Sequence, residues 1–246
     1  MVYFVLPAYN EAKALPMLLE RIRRVASRHP QLHIHVIVVD DGSEDDTACA
    51  ALSVTGLSVR LVRHEHNRGL SEALRSGFHA ALEQADDEDA IVTMDADDTH
   101  HPGQALRMVA LLEEGYDLVI ASRYQPGART LGVPWFRRLL SDGMSALFRL
   151  VYPIPGARDY SCGFRAYRAA ILRHAFEHYG EAFISERGFT CTVDMLLKLT
   201  RLGAVVTEIP MVLRYDRKPS ESKMNVRRTV VQTLRLLLRR RLGYFR

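Results

Sequence analysis

Continuous apolar runs alternate with amphipathic runs over the first 122 residues, and this alternation limits the fold more than any other feature of the chain. The clearest apolar run is IHVIVVDD at residues 34–41. A run that is apolar throughout, rather than at every second position, is typical of a parallel strand covered by helices on both faces. Four further runs predict strands, at residues 2–7, 57–64, 90–95 and 116–122. The sequence therefore predicts an α/β fold with a mostly parallel central sheet flanked by helices.

The second half of the chain departs from this alternation. Residues 125–135 are rich in Gly and Pro and predict a loop. Residues 189–203 show helical spacing and end at a glycine, and residues 204–215 predict a last strand. We therefore predict one main domain over residues 1–225, followed by a C-terminal helix over residues 226–246.

The C-terminal segment concentrates the basic charge. The net charge of +4 arises there, because residues 227–246 carry seven arginines and no acid, whereas the rest of the chain carries 26 basic and 29 acidic side chains. A helical projection places these apolar side chains on one side, with most of the arginines opposite or flanking: Val230, Val231, Leu234, Leu237, Leu238 and Phe245. Such a helix predicts peripheral contact with the anionic cytoplasmic face of a membrane. The alternative is a helix packed on the domain with a solvated basic face.

Several classes of protein are excluded by the same composition. The longest apolar stretches fall well short of the roughly 20 residues that a membrane-spanning helix needs. The N-terminal apolar run has no basic segment before it and no cleavage site after it, so we expect a first strand rather than a signal peptide. Cys49, Cys162 and Cys191 are far apart and lack CxxC spacing, which argues against disulfides and structural zinc. A cytoplasmic location is expected.

The arginine-rich C-terminal segment is also compatible with a different class of function, nucleic-acid binding. The C-terminal segment lacks interleaved aromatic residues, and the rest of the chain is net acidic. We therefore expect no nucleic-acid partner.

Carboxylates follow two of the predicted strands directly. Asp40 and Asp41 end the second strand, while Asp95, Asp97 and Asp98 follow the fourth. Ligands bind at the carboxyl ends of the strands in open parallel sheets, so neighbouring strands would bring these side chains to one cleft. Asp-x-Asp offers the hard oxygen ligands that suit Mg²⁺ or Mn²⁺ in contact with substrate phosphates. The alternative is that the aspartates cap helices and form turns.

The glycine motifs of many nucleotide sites are missing. No G-x-G-x-x-G follows the first strand, and no G-x-x-x-x-G-K-[ST] occurs anywhere. A nucleotide would therefore need side chains for its base and ribose, and a metal with basic groups for its phosphates. Arg123, Arg217 and Lys223 lie beyond predicted strand ends and are the candidates. For each of them a solvated surface position is the alternative.

Seven motifs follow one another along the chain, and together they resemble the family 2 inverting glycosyltransferases. They are VLPAYNEAKALPMLLERI, VIVVDDGSEDDT, HNRGLSEALRSGF, IVTMDADDTHHP, LVIASRY, DYSCGFRAYR and DRKPSESKM. Within the family, the dolichyl-phosphate mannosyltransferase group is the most similar. The resemblance covers essentially the whole chain, and it is more specific for the family than for the sugar. It implies a single Rossmann-like domain of the GT-A type, a nucleotide-sugar donor and a divalent metal, Mg²⁺ or Mn²⁺.

The resemblance also implies roles for residues near the first two strands. Pro7, Tyr9 and Glu11 would hold the nucleotide sugar. Val38 and Asp40 would contact its base and ribose.

Further roles fall on the later motifs. Asp95, Ala96 and Asp97 match the D-x-D segment of the family, whose two aspartates engage the metal and the diphosphate. Arg123 matches the arginine of its G-[ST]-R-Y segment. Thr99 stands where some relatives have a Gln in the metal shell, so a water is the alternative ligand.

The last motif implies the groups that grip phosphate. Arg217 and Lys223 are six residues apart, as in R-x-x-G-x-S-K of the family, and with Asp97 they would be the catalytic residues. They would stabilise the negative charge that develops on the leaving nucleoside diphosphate. Pro219 and Ser220 depart from the family pattern, which has Gly at the position of Ser220.

The acceptor decides whether a general base is needed. A polyprenyl or dolichyl phosphate is already an anion, so transfer of mannose from GDP-mannose to it needs no strong base. A saccharide or soluble acceptor, with a UDP-sugar donor, is the alternative and would need a carboxylate base, for which Asp194 and Asp98 are the candidates. We favour the lipid phosphate, because a second anion explains a cationic pair better than a hydroxyl does. A dimer or a membrane anchor subunit stays open.

Overall fold

A computed structural model describes residues 1–188, 190–217 and 226–243, with residues 137, 217 and 226–230 described by their backbone alone. The predicted phosphate-binding residue Lys223 and the terminal Phe245 lie outside the described residues. The strands are β1 (Val2–Ala8), β2 (Ile34–Asp40), β3 (Ser58–Arg63), β4 (Ala90–Thr93), β5 (Leu118–Ser122), β6 (Arg129–Leu131), β7 (Arg165–Arg168), β8 (Val206–Pro210) and β9 (Val212–Arg214).

The helices flank the central sheet, as the amphipathic runs predict. They are α1 (Leu15–Arg28), α2 (Thr47–Ala51), α3 (Leu70–Leu82), α4 (Gln104–Glu113), α5 (Trp135–Val151), α6 (Ala169–Tyr179), α7 (Thr190–Arg201) and α8 (Val226–Arg241). Short 3₁₀ helices cover Gly180–Ile184 and Tyr215–Arg217.

Seven strands form the central sheet in the order β3-β2-β1-β4-β7-β5-β8. All of its neighbouring strands pair in parallel except β7, which runs antiparallel to both β4 and β5. The mostly parallel sheet is therefore confirmed, and the antiparallel strand within it is a feature that the alternation did not predict. β7 comes directly after the segment DYSCGF, so it carries that segment to the carboxyl ends of β4 and β5.

The predicted last strand is divided between two sheets. β8 extends the central sheet beside β5, whereas β9 pairs in parallel with β6 in a separate two-stranded sheet. β6 lies inside residues 125–135, which were predicted to be a loop. Pro210 ends β8, consistent with the missing N–H that proline brings to a ladder.

The core lies on both faces of the sheet and explains why the first strands are apolar throughout. Phe4, Val5, Leu6 and Val38 are at most 1% exposed. Helix α3 approaches β1 so closely that a Cβ at Gly77 would lie 2.3 Å from Val5 Cγ1. Glycine at this position is therefore required for the packing of α3 on the sheet.

Helix α8 has two apolar stripes rather than one. The residues Thr233, Leu236, Leu237 and Arg240 are buried against the rest of the chain. The residues on the other side are 46 to 66% exposed, and they are Val231, Leu234, Leu238 and Leu242. The helical projection groups Leu237 with Leu234 and Leu238, but in the structure Leu237 is buried and the other two are exposed. The buried stripe supports the alternative of packing on the domain, while the second stripe is left for another contact.

An ionic cluster fixes α8 to α7. The Asp194 carboxylate, fully buried, accepts from Arg240 Nε at 2.6 Å and lies 2.7 Å from Lys198 Nζ. Burial lowers the pKa of Lys198, and the Asp194 carboxylate opposes that shift without cancelling it. Arg239 adds an exposed pair with Glu186 at 2.9 Å. An arginine of the predicted basic face is thus inserted into the protein interior.

Within the described ranges of the chain, no helix combines the length and the apolar character that a transmembrane span requires.

Candidate active site

The carboxyl ends of β1 and β4 define the site. The chain continues from β1 to β2 on one side and later adds β4 on the other, so the strand order reverses between β1 and β4. Such a reversal point is where open α/β sheets bind ligands. β1 separates β2 from β4, so the expectation that the acidic ends of these two strands are direct neighbours is wrong. Their separation is two strand spacings, about 10 Å.

The loop after β1 is held by the loop after β2. Asn10 has a positive φ of 53°, and its backbone N–H donates to Ser43 Oγ at 2.9 Å. The backbone N–H of Glu11 donates to Thr47 Oγ1, also at 2.9 Å. Asn10 Oδ1 in turn accepts from Glu44 N at 3.0 Å. The segment PAYNE, predicted to hold the nucleotide sugar, is therefore a fixed loop beside the reversal point.

The two aspartates that end β2 have structural partners. Asp40 Oδ1 accepts from Ser43 N at 3.0 Å, which closes a turn. Asp41 Oδ1 lies 2.6 Å from His64 Nδ1, and Asp41 Oδ2 accepts from Gly69 N at 2.8 Å. The turn is thus formed by Asp40, whereas Asp41 binds groups 23 and 28 residues further along the chain.

The D-x-D segment has a different environment. Asp95 is partly exposed, whereas Asp97 is 6% exposed. Thr99 donates to Asp97 Oδ1 twice, from its Oγ1 at 2.6 Å and from its backbone N–H at 3.2 Å. The Thr99 side chain thus orients Asp97. His100, which stacks on Phe164 with ring centroids 5.2 Å apart, accepts at Nδ1 from Asp95 N at 3.4 Å.

The donor chemistry of Asp95 and Asp97 fits a divalent ion that arrives with its substrate. No cluster of three or more His, Cys, Asp or Glu side chains able to hold a metal occurs among the described residues. Mg²⁺ is usually bound by one or two carboxylates plus substrate phosphates and waters, rather than by a cage of protein ligands. A site with two carboxylates matches that pattern.

The two candidates for a general base are both engaged elsewhere. Asp98 has a φ of 59° and lies 3.2 Å from Arg21 Nε, with its side chain fully buried. Asp194 belongs to the ionic cluster between α7 and α8. Asp194 is 0% exposed, so it does not lie on the surface of α7.

Arg123 follows β5 and forms an ion pair with the Asp159 carboxylate, which was not among the predicted site residues. Its Nε and Nη2 donate to Asp159 Oδ2 and Oδ1 at 2.8 and 2.7 Å, and its backbone N–H donates to Asp159 Oδ2 at 3.0 Å. Burial alone would raise the pKa of Asp159, but the Arg123 guanidinium outweighs it and holds that pKa below its ordinary value. Burial likewise opposes the charge on Arg123, and Asp159 overcomes this and raises the pKa of Arg123.

Asp159 belongs to the motif DYSCGFRAYR, to which the sequence analysis gave no individual role. In the sequence, Asp159 is a lone aspartate in a segment that also contains Gly and Pro. This pattern is equally typical of an ordinary turn. What distinguishes an aspartate that binds Arg123 from a turn aspartate is the antiparallel course of β7, which brings this segment to the end of β5.

The other predicted site residues lie as follows. Pro7, Tyr9 and Glu11 are partly exposed at the end of β1 and in the loop that follows. Val38 is 0% exposed within β2, and its role stays a prediction. Ala96, at 2% exposure, separates Asp95 from Asp97.

The predicted phosphate-binding pair is described only in part. The backbone of Arg217 ends the 3₁₀ helix that follows β9. Its side chain, together with Lys223, Pro219 and Ser220, is outside the described part of the structure, so the roles of Arg217 and Lys223 stay predictions.

The protein-family model for glycosyl transferase family 2 matches residues 3–176.

Two relatives, both named as enzymes, are similar over most of the chain. A polyprenol monophosphomannose synthase of Mycolicibacterium smegmatis is 30% identical over 224 residues, which cover 90% of this chain and 80% of the relative. An undecaprenyl-phosphate mannosyltransferase of Micrococcus luteus is 34% identical over 226 residues, which cover 91% of this chain and 87% of the relative.

Solved structures share the fold. The glucosyl-3-phosphoglycerate synthase of M. tuberculosis has a TM-score of 0.65 at 20% identity, covering 99% of this chain and 81% of that one. A mannosyltransferase of Pyrobaculum calidifontis, solved in complex with GDP-Man and Mn²⁺, has a TM-score of 0.60 at 21% identity and covers 97% of this chain and 64% of that one. These structures are of GT-A glycosyltransferases, so the predicted fold is confirmed.

Proposed function

Because the chain belongs to glycosyl transferase family 2, and is therefore a glycosyltransferase, we propose that it transfers mannose from GDP-mannose to a polyprenyl phosphate. The observation that carries this proposal is the similarity over nine-tenths of the chain to two enzymes whose names specify a mannosyl group and a polyprenyl acceptor. The chain covers at least 80% of each of them.

The environment of the acidic residues supports a phosphate acceptor. Asp98 and Asp194, the two candidates for a general base, each lie within 3.2 Å of an arginine nitrogen. Both carboxylate side chains are fully buried and held in these pairs, so neither is exposed to an acceptor hydroxyl. An acceptor that is already ionised at neutral pH does not need such a base. A saccharide hydroxyl would.

The proposed donor site uses the loops after β1, β2 and β4. Asp95 and Asp97 would hold a Mg²⁺ or Mn²⁺ ion, with Thr99 keeping Asp97 in place. When bound, this ion would neutralise charge on the leaving nucleoside diphosphate. Tyr9 and Glu11, in the fixed loop after β1, would bind the nucleotide sugar beside it.

The acceptor site is proposed to lie on the β5 side, where Arg123 presents a cation. Arg217 and Lys223 are proposed to add further positive charge from the segment after β9. Two anions, the donor diphosphate and the acceptor phosphate, must approach each other for the reaction. Fixed cations between them lower the repulsion, and this is the main contribution that the protein makes to the rate.

A lipid acceptor requires the protein to reach a membrane surface. Val231, Leu234, Leu238 and Leu242 form the exposed stripe of α8, and arginines flank it. Helix α5 adds exposed apolar side chains, among them Trp135, Phe136 and Leu139. Apolar groups bordered by arginine suit the interface of an anionic bilayer. We propose that the protein is peripherally bound at the cytoplasmic face of the membrane through these helices.

Transfer of label tests the proposed reaction directly. The purified chain is incubated with Mn²⁺, undecaprenyl phosphate in detergent and radiolabelled GDP-mannose, and the organic phase is counted. We expect label in the organic phase, released by mild acid as a glycosyl phosphate is, and no label there with undecaprenol in place of its phosphate. Label that enters only a water-soluble saccharide, or only from a UDP-sugar, would contradict the proposal.

A further inference from the structure

One short segment joins the metal side of the site to the arginine side. Residues 159–163, the first half of the motif DYSCGFRAYR, run from Arg123 to the end of β4. Thr93 Oγ1 donates to Gly163 O at 2.7 Å, and a Cβ at Gly163 would lie 3.6 Å from Asp95 Oδ1. Ser161 Oγ accepts from Arg123 Nη2 at 2.8 Å. The segment therefore binds Arg123 at one end and lies beside Asp95 at the other.

Asp159 is the centre of this segment. It is 0% exposed and accepts from four N–H groups, three of Arg123 and the backbone N–H of Cys162 at 3.1 Å. Four donors on one buried carboxylate leave it a single orientation.

A second carboxylate fixes the backbone that carries Asp159. Glu208 on β8 accepts at Oε1 from the backbone N–H groups of Arg158 and Asp159, both at 2.6 Å. Its Oε2 accepts from Gln125 Nε2 at 3.1 Å. The segment is therefore held from β8 as well as from β5.

The consequence concerns the other edge of the Arg123 guanidinium. Its Nε and Nη2 are used by Asp159 and Ser161, whereas Nη1 makes no hydrogen bond to any residue in the described ranges. The Arg123 side chain is 24% exposed. A guanidinium that is fixed by one edge and open at the other is preorganised to bind an anion, because it loses little freedom on binding.

We propose that Asp159 is a positioning residue, which acts through Arg123 to place the Nη1 edge against a phosphate oxygen of a substrate. This inference rests on the proposed function, since it gives Arg123 a substrate phosphate to bind. Both the donor diphosphate and the acceptor phosphate carry such oxygens. Separate titrations of the two substrates distinguish them.

The test is the Asp159→Asn variant of the full chain, with KM measured for GDP-mannose and for undecaprenyl phosphate in turn. Asparagine keeps one oxygen that can accept from Arg123, but it cannot accept from Nε and Nη2 at two oxygens as Asp159 does. We expect the KM of the bound phosphate substrate to rise about tenfold or more, because a fork-fixed charged hydrogen bond is lost, while the KM of the other substrate changes less than about twofold. Ser161→Ala, which removes one contact at a less buried position, should raise the same KM by about two- to threefold.

The matched control is Asp117→Asn at the opposite edge of the same strands. Asp117 lies 3.5 Å from Arg168 Nε and accepts from Val205 N at 2.9 Å. This variant removes the charge of an aspartate that pairs with an arginine, but it does not touch Arg123, so it should keep both KM values. If Asp159 had a purely structural role, Asp159→Asn would have a lower melting temperature, but both KM values of the folded enzyme would be unchanged. In that case Ser161→Ala would also leave both KM values unchanged. Those results would overturn the inference.

A binding measurement keeps the inference testable if the wild type transfers nothing to undecaprenyl phosphate. Inorganic pyrophosphate should raise the melting temperature of the wild type and of Asp117→Asn equally, because it binds the native state. The same addition should stabilise Asp159→Asn and Ser161→Ala less. Equal stabilisation of all four proteins would overturn the positioning role, whereas failure of transfer alone would overturn only the proposed function.

Discussion

At the scale of single residues, three aspartates at one edge of the sheet have three different environments. Asp41 binds His64 and a backbone N–H, and it is part of the framework. Asp98 pairs with Arg21. Asp97 is oriented by Thr99. Whether an aspartate is suited to hold a metal depends on the groups around it, not on its position after a strand. Each partner either occupies a lone pair of the carboxylate or stabilises its charge.

The Thr99→Val substitution tests the orientation of Asp97. Valine has the shape of threonine but cannot donate to Asp97 Oδ1, so the carboxylate gains freedom. We expect the affinity of the GDP-bound protein for Mn²⁺ to fall about tenfold, as loss of a group that orients a metal ligand usually does. Asp97→Ala should lose Mn²⁺-dependent binding of GDP altogether. Titration calorimetry measures both.

The control for this substitution is Thr200→Val. Thr200 Oγ1 donates to Leu196 O at 3.0 Å within α7, away from the strand ends. It should bind Mn²⁺ as the wild type does. Equal affinities of Thr99→Val and the wild type would show that Thr99 does not orient the ligand.

At the scale of elements, α8 is held by a buried charge rather than only by an apolar face. Lys198 and Arg240 share one partner, Asp194, and all three side chains are at most 4% exposed. The hydrogen bonds among them compensate part of the cost of burying the charges. This arrangement fixes the rotation of α8 about its axis, since the face that carries Arg240 must point into the interior. Its second apolar stripe is turned away from the domain as a result.

The Asp194→Asn substitution removes the shared anion and leaves two buried cations. We expect the free energy of unfolding to fall by about 3 to 5 kcal/mol, because a broken buried pair leaves its charged partner uncompensated. Urea denaturation at neutral pH measures it. Asp87→Asn, which breaks an exposed pair with Arg173, should cost less than about 1 kcal/mol. If both variants were equally stable, the cluster would contribute nothing to the docking of α8.

At the scale of the whole molecule, many of the large exposed apolar side chains lie on α5 and α8. Helix α5 adjoins the end of β5, because the hydroxyl groups of Tyr124 and Ser141 are 2.8 Å apart. A monomeric soluble protein seldom exposes many large apolar residues together. This distribution supports a protein that works at a surface and presents its substrate site to that surface.

Vesicle binding tests the membrane contact. Leu234→Gln combined with Leu238→Gln should weaken sedimentation with vesicles of 30% anionic lipid about tenfold or more, because two apolar groups are lost from the exposed stripe. Leu52→Gln combined with Val205→Gln, at exposed apolar positions elsewhere, is the matched control and should bind as the wild type does. Loss of binding in high salt would show the contribution of the arginines. Unchanged binding of the α8 variant would place the contact on another surface.

The sequence by itself determined the type of fold and the family. Apolar runs such as residues 34–41 predict buried parallel strands, since a strand covered on both faces cannot alternate. The D-x-D segment, Arg123 and the PAYNE loop were also found from local motifs, because a motif places its residues beside one another along the chain.

Only the tertiary structure decided which residues meet across the chain. The partners of Arg123 and Arg240 lie 36 and 46 residues away from them. β1 between β2 and β4 keeps two acidic strand ends apart, and antiparallel β7 brings Asp159 to Arg123. Pairing of this kind depends on strand order and on the rotation of helices, which are set by packing of the whole core. Neither spacing nor composition carries that information, because both describe neighbours in sequence alone.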